Sequence, residues 1–197
     1  MRIFRRLTRR CPPGALCAQP QPGAALSAEE QRALDARLVE AADGGDAAAV
    51  VRLAGEGASA DAKDEDGTPA VVIAAGGGHT EVVEALLRLG CDPNAPARYG
   101  VTALIMAAAN GHGGVVGALL EHGGADLDAV DSGGATALMD AARSGHAAIA
   151  AQLVEAGADA TLRATGGGQQ GKTALEIAEA KGHAEVAALL RESRSGE

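Results

Sequence analysis

The sequence predicts a mainly α-helical solenoid, a stack of about five helix-turn-helix repeats joined by β-hairpin-like tips. Two observations carry this expectation. Gly-His recurs at Gly78-His79, Gly111-His112, Gly145-His146 and Gly182-His183, with His-to-His steps of 33, 34 and 37 residues. A period in that range is the signature of stacked structural units. Aromatic residues are almost absent: the chain holds Phe4, Tyr99 and no tryptophan. A compact core usually draws on such large side chains, whereas a stack filled by Leu, Val, Ile and Ala needs none.

Each copy starts with a glycine among polar residues (Gly67, Gly100, Gly134, Gly171) that supplies a turn. Thr102, Thr136 and Thr173 follow two residues later and can cap a first helix through their hydroxyls. Pro69 takes that place in the second copy and suits a first helical turn. A short Ala- and Leu-rich helix comes next. Its Ala pairs (Ala74-Ala75, Ala107-Ala108, Ala141-Ala142) allow close helix approach. The glycine before each His ends that helix, because it accepts a left-handed cap without a Cβ clash. A second helix carries apolar residues at helical spacing, as in Val82, Val83, Leu86 and Leu87, or Val115, Val116, Leu119 and Leu120. Gly90, Gly124 and Gly157 end it. Helices this short are marginal alone in water, so stacking must supply the core. A weaker first copy has Asp46 in the His position, and Ser27-Ala28-Glu29-Glu30 opens it as a capping box.

The phased elements D-x-x-G-x-T, L-x-x-A-A, G-H and V-V-x-x-L-L resemble the ankyrin-repeat family, over about residues 28–193. The resemblance implies an ankyrin-repeat solenoid with repeats near 28–63, 64–96, 97–130, 131–163 and 164–193, after a leader at 1–27 and before a tail at 194–197. The family's T-P-L-H element reads Thr102-Ala103-Leu104-Ile105, Thr136-Ala137-Leu138-Met139 and Thr173-Ala174-Leu175-Glu176. Its His is missing, so Leu and Ala packing must carry more of the stability. One extra glycine stands at Gly123-Gly124, and four residues are inserted near Ala164–Gln170, at a tip.

Charge divides unevenly. Residues 1–28 hold Arg2, Arg5, Arg6, Arg9 and Arg10 and no acid, a charge of +5 within a total of −9, so the remainder carries −14. An acidic repeat region repels phosphate backbones and argues against nucleic-acid binding. It suits a basic partner surface, or solubility alone. At 100° per residue, Ile3, Phe4, Leu7 and Cys11 fall opposite the arginines. Three readings of this leader stay open: a disordered basic tail, an organelle import sequence, or a membrane contact within residues 1–17 helped by acylation at Cys11 or Cys17. The expected compartment is the cytoplasm, with a mitochondrion or plastid as the alternative. Cys11, Cys17 and Cys91 fit neither a disulfide framework nor a zinc pattern.

Two motifs mimic chemistry. Gly166–Thr173 matches G-x-x-x-x-G-K-[ST], a phosphate-cradling loop. That loop requires a preceding hydrophobic strand, and here a repeat ending precedes it. The four Gly-His histidines are spread one per repeat without a second ligand type, which favours a local hydrogen-bonding role between helices and neighbouring repeats over metal binding or catalysis. His122 is expected to be a solvated helix-end residue. No catalytic residue, metal or cofactor is expected, and no small-molecule substrate.

The resemblance implies binding through the tips and the exposed side of the first helices. The candidates are Glu65, Asp66 and Thr68 in the second repeat, and Arg98, Tyr99, Val101 and Asn110 in the third. The fourth offers Ser132, Ala135, Arg143 and Ser144, and the fifth Gln169, Gln170, Lys172 and Lys181. Arg98 and Tyr99 stand out, because exposed Tyr and Arg are enriched at binding hot spots. The expected function is a non-catalytic protein-interaction scaffold or adaptor. The alternatives are an organelle- or membrane-targeted anchor and a regulatory segment of a larger enzyme.

Overall fold

A computed structural model of the chain describes residues 27–122 and 124–195. The leader up to residue 26, with Cys11 and Cys17, lies outside the described residues, as do Gly123 and the last two residues of the tail. The described residues form ten α-helices: α1 (Ala28–Asp43), α2 (Ala47–Gly55), α3 (Ala70–Gly77), α4 (Thr80–Arg88), α5 (Ala103–Asn110), α6 (Gly113–Glu121), α7 (Ala137–Ser144), α8 (Ala147–Glu155), α9 (Ala174–Lys181) and α10 (Ala184–Ser195).

Consecutive helices pair, odd with even, and the pairs stack in two rows. The odd-numbered helices form one row and the even-numbered helices the other. Neighbours in the odd row touch more extensively than neighbours in the even row. Their facing residues explain this: Ala70, Ala74, Ala75, Ala103, Ala107, Ala108, Ala137, Ala141 and Ala142 are all buried. Small side chains let the odd row close up, so that row is the shorter, concave side. Between the rows lies a continuous core of Leu38, Leu53, Leu86, Leu104, Leu119, Leu138, Leu153 and Leu190 with the intervening valines. Fully burying one such leucine is worth about 1.5–3 kcal/mol, which no eight-residue helix could gain alone. Cys91 is part of this core. Its thiol is pushed up to about 12, chiefly by burial and further by Asp61 and Asp92.

The expected caps form. The hydroxyls of Thr102, Thr136 and Thr173 accept the backbone N–H groups of Ile105, Met139 and Glu176. Ser27 and Glu30 close the capping box of α1. Pro69 differs from expectation by one position. It stands at the N-cap of α3 with extended backbone (φ −62°, ψ 143°), not inside the first turn.

The Gly-His pairs do more than separate two helices. Gly78, Gly111, Gly145 and Gly182 take left-handed φ of 74–84° and cap α3, α5, α7 and α9. Each His then reaches back one repeat. The Nε2–H groups of His79, His112, His146 and His183 donate to the carbonyls of Asp43, Gly76, Ala109 and Arg143, at 2.9, 3.0, 3.3 and 3.1 Å. Those carbonyls belong to the last turns of α1, α3, α5 and α7, where no intrahelical partner exists. The ring also lies over the glycine of the repeat before: a Cβ on Gly45, Gly78, Gly111 or Gly145 would stand 2.7–2.8 Å from it. Asp46, in the His position of the first unit, has no helix of an earlier repeat to reach among the described residues. It caps α2 instead, accepting the N–H of Ala49 at 2.9 Å.

A second ladder runs along the loops that leave the even-numbered helices. The N–H groups of Ser59, Asp92, Asp126 and Asp159 donate to Asp35, Asp61, Asn94 and Asp128, each at 2.8–2.9 Å. The Nδ2 of Asn94 also donates to the carbonyl of Gly124 at 2.6 Å. Part of the acidic charge is therefore committed to tying one repeat to the next.

Candidate protein-binding surface

The tips are turns with little strand character: among the described residues one isolated bridge, Lys63 with Pro69, is the only β pairing. Two tips share a design. Asp64 Oδ1 accepts the N–H groups of Asp66 and Thr68, and Asp131 Oδ1 accepts those of Gly133 and Ala135, at 2.8–2.9 Å. A short carboxylate thereby folds the turn locally. The third tip has Ala97 in that column and no such acceptor. It instead forms a 3-10 turn over Arg98–Gly100 in which Tyr99 adopts φ 62°, ψ 20°. Tyr99 is the one non-glycine residue with positive φ among the described residues. That conformation costs an L-residue roughly 1–2 kcal/mol. It is held by the N–H of Ser132, which donates to the carbonyl of Tyr99 at 2.6 Å.

The consequence is an aromatic ring projected from the tip, 76% exposed. Beside it the Arg98 guanidinium meets Asp66 of the preceding tip at 3.0 Å, both side chains about two-thirds exposed. So exposed a pair adds little stability. It does fix the guanidinium between the second and third tips. The structure thus brings together Asp66, Arg98, Tyr99 and Ser132.

The other candidates divide. Glu65, Gln170, Ser144 and Lys181 are exposed. Thr68, Val101, Ala135, Gln169 and Lys172 are only partly exposed. The Asn110 amide is committed to the stack, donating to the carbonyl of Gly76 at 3.1 Å. In the fifth unit the insertion folds as a 3-10 turn over Gly167–Gln169, and the N–H of Gly166 donates to the carbonyl of Gly133 at 2.7 Å. The insertion therefore leans on the fourth tip.

One concave-face residue is missing from a selection based on tips. Column by column, Asp140 of α7 stands where Ile73, Met106 and Ile177 stand in α3, α5 and α9. Arg143 stands in the column of Gly76, Ala109 and Ala180. The two pair at 2.9 Å, with the Asp140 side chain 10% and the Arg143 side chain 48% exposed. Burial pushes the Asp140 carboxyl above the ordinary aspartate range; Arg143 opposes the shift and Asp131 adds to it. An ion pair has replaced an apolar contact in the middle of the concave row.

At the α1 end of the row lies a depression of about 930 Å³. One face of α1 (Arg32, Asp35, Ala36, Val39, Glu40, Asp43) forms a wall, and the tip residues Lys63, Asp64, Glu65 and Thr68 form the rim. Val72 and Ile73 of α3 and Met106 of α5 form the floor. α1 is twice the length of α3, and its N-terminal half runs beside the loop after α2, where Gln31 donates to the carbonyl of Gly57 and Asp35 accepts the N–H of Ser59.

The phosphate-loop look-alike does not have that geometry. No strand precedes it, and Thr173 is the N-cap of α9. The Glu176 carboxylate accepts the Thr173 N–H at 2.9 Å, standing where a phosphate would sit. That hydrogen bond, with help from Arg163, holds the Glu176 carboxyl below its usual range. Among the described residues no three His, Cys, Asp or Glu side chains converge as metal ligands. No described helix is long and apolar enough to cross a membrane.

No curated protein matches the chain. A family model described as ankyrin repeats (3 copies) matches three overlapping stretches, residues 38–131, 89–164 and 123–196. Ankyrin repeats are generally protein–protein interaction modules, and domains built from them are typically non-catalytic. With more than half its length matched and its helix pairs, caps and Gly-His contacts in phase, the chain belongs to the ankyrin-repeat family.

Proposed function

We propose that this chain is a non-catalytic scaffold or adaptor that holds a protein partner against its concave row and tips, with Arg98 and Tyr99 as the anchor. The observation that carries this reading is Tyr99: an exposed aromatic on a backbone conformation that costs stability. An aromatic and a guanidinium side by side, each pre-positioned, lose little freedom on binding. Asp140 and Arg143 support the same face, since a half-buried ion pair there adds polar recognition at the expense of packing. The acidic repeats favour a partner with a basic surface and disfavour nucleic acid.

The test is a partner recovered on the full chain and titrated against Arg98→Ala/Tyr99→Ala. The expected loss is at least about fivefold in Kd, the equivalent of about 1 kcal/mol. Unchanged affinity with native helicity would place the anchor elsewhere.

A further inference from the structure

We infer that the groove beside α1 is a docking site for this chain's own basic leader, residues 1–10, so that the chain covers part of its own concave face. This goes beyond partner binding and does not depend on the partner's identity.

The groove combines two properties, uncommitted carboxylates and an apolar floor. Its wall and rim carry Glu40, Asp43 and Glu65, whose carboxylates make no side-chain hydrogen bond or ion pair with any other described residue. Its floor is apolar, with Ile73 and Met106 partly exposed beside Val39. Asp35 and Asp64 of the groove, like the loop aspartates Asp61, Asp92, Asp126 and Asp128 elsewhere, already accept backbone N–H groups. A matching ligand therefore combines several cations with a few large apolar side chains on a short segment.

Residues 1–10 have that composition. They hold five arginines and no acid, together with Ile3, Phe4 and Leu7. Phe4 is the chain's one phenylalanine. Reach is sufficient. Residues 11–26 lie between this segment and the start of α1, and sixteen residues can span up to about 50 Å. The groove face of α1, from Arg32 to Asp43, is about 17 Å long. Attraction between +5 and a groove with five carboxylates against two cations acts over about a Debye length, about 8 Å at physiological salt. The contact is therefore salt-sensitive, and a basic partner segment would have to displace it.

The experiment uses the full chain with Cys17→Ser and Cys91→Ala, a nitroxide on Cys11, and amide NMR signals compared before and after reduction of the label. Signals of Ile73, Gly76 and Met106 are expected to lose at least half their intensity, beyond any loss that the tether causes at the start of α1. The loss should vanish in 0.5 M salt and in Glu40→Lys/Glu65→Lys, two exposed substitutions whose helicity is checked by circular dichroism. No loss at those three residues overturns the proposal. So does equal loss along the Asp92 and Asp126 loops, or on α2 and α4. Loss that appears only when isotope-labelled chains without nitroxide are mixed with nitroxide-bearing chains assigns the groove to a second copy's leader and overturns self-docking.

Discussion

Replacing Gly145 by Ala separates two reasons for the recurring Gly-His. Gly145 has φ 80° and Gly182 has φ 79°, so a Cβ is strained equally at both. Left-handed strain is roughly 1–2 kcal/mol, offset in part by the 0.4–1 kcal/mol that a stiffer unfolded chain returns. Gly182→Ala should therefore cost about 1 kcal/mol, because nothing lies within 4 Å of the new methyl group. At Gly145 the methyl would stand 2.7 Å from His183 Nδ1 and 2.8 Å from Cε1. The ring must leave, and with it the 3.1 Å hydrogen bond to the Arg143 carbonyl. That hydrogen bond is worth about 1 kcal/mol, and the lost ring packing adds to it. Gly145→Ala should cost about 2–3 kcal/mol in total. The decisive arm is a double-mutant cycle with His183→Ala, followed by urea denaturation monitored at 222 nm. Without the ring, the cost of Gly145→Ala should fall to about that of Gly182→Ala, a coupling of at least about 1 kcal/mol. A coupling near zero would refute the inter-repeat role of the histidine and leave only the left-handed cap.

Two further outcomes test the concave face and its tip. Asp140 has a carboxyl raised by burial. A group raised on folding contributes stability that is complete below its unfolded pKa and is lost as pH rises through the folded value. Asp140→Asn, which can still accept from Arg143, should therefore unfold later than the parent at pH 7, the difference closing as pH falls below about 3.9. Equal melting temperatures at both pH values would contradict the burial of that charge. Tyr99→Asn should raise stability by about 0.5–1 kcal/mol, since Asn tolerates the left-handed region, while partner affinity falls. A drop in chemical stability would show that the tip is not strained.

Much of the fold could be read from the sequence because its determinants are local and repeated. Thr102, Thr136 and Thr173 cap helices for reasons contained within four residues, and the glycine before each His answers to backbone geometry alone. The direction of the histidine rings could not be read in the same way. They act on the preceding repeat, 36–40 residues away, and that choice is tertiary. The candidate site was legible in part. Arg98 and Tyr99 stand out in the sequence because exposed Tyr and Arg are enriched at binding hot spots. The reason for their posture lies in Ala97, an absence in the Asp column that a column-wise reading can find. The same reading finds Asp140 among Ile73, Met106 and Ile177. The groove was hidden because its wall, rim and floor come from α1, the tip of the second repeat, α3 and α5, which only the stack brings together.

Whether the concave row and the tips hold a partner is tested most directly by hydrogen–deuterium exchange of the full chain with its recovered partner. Protection should appear at residues 64–68, 97–101 and 131–135 and along α5 and α7, with the outer helices α4, α6 and α8 unchanged. Protection confined to α4, α6 and α8, with the Tyr99 tip exchanging as in the free chain, would contradict it.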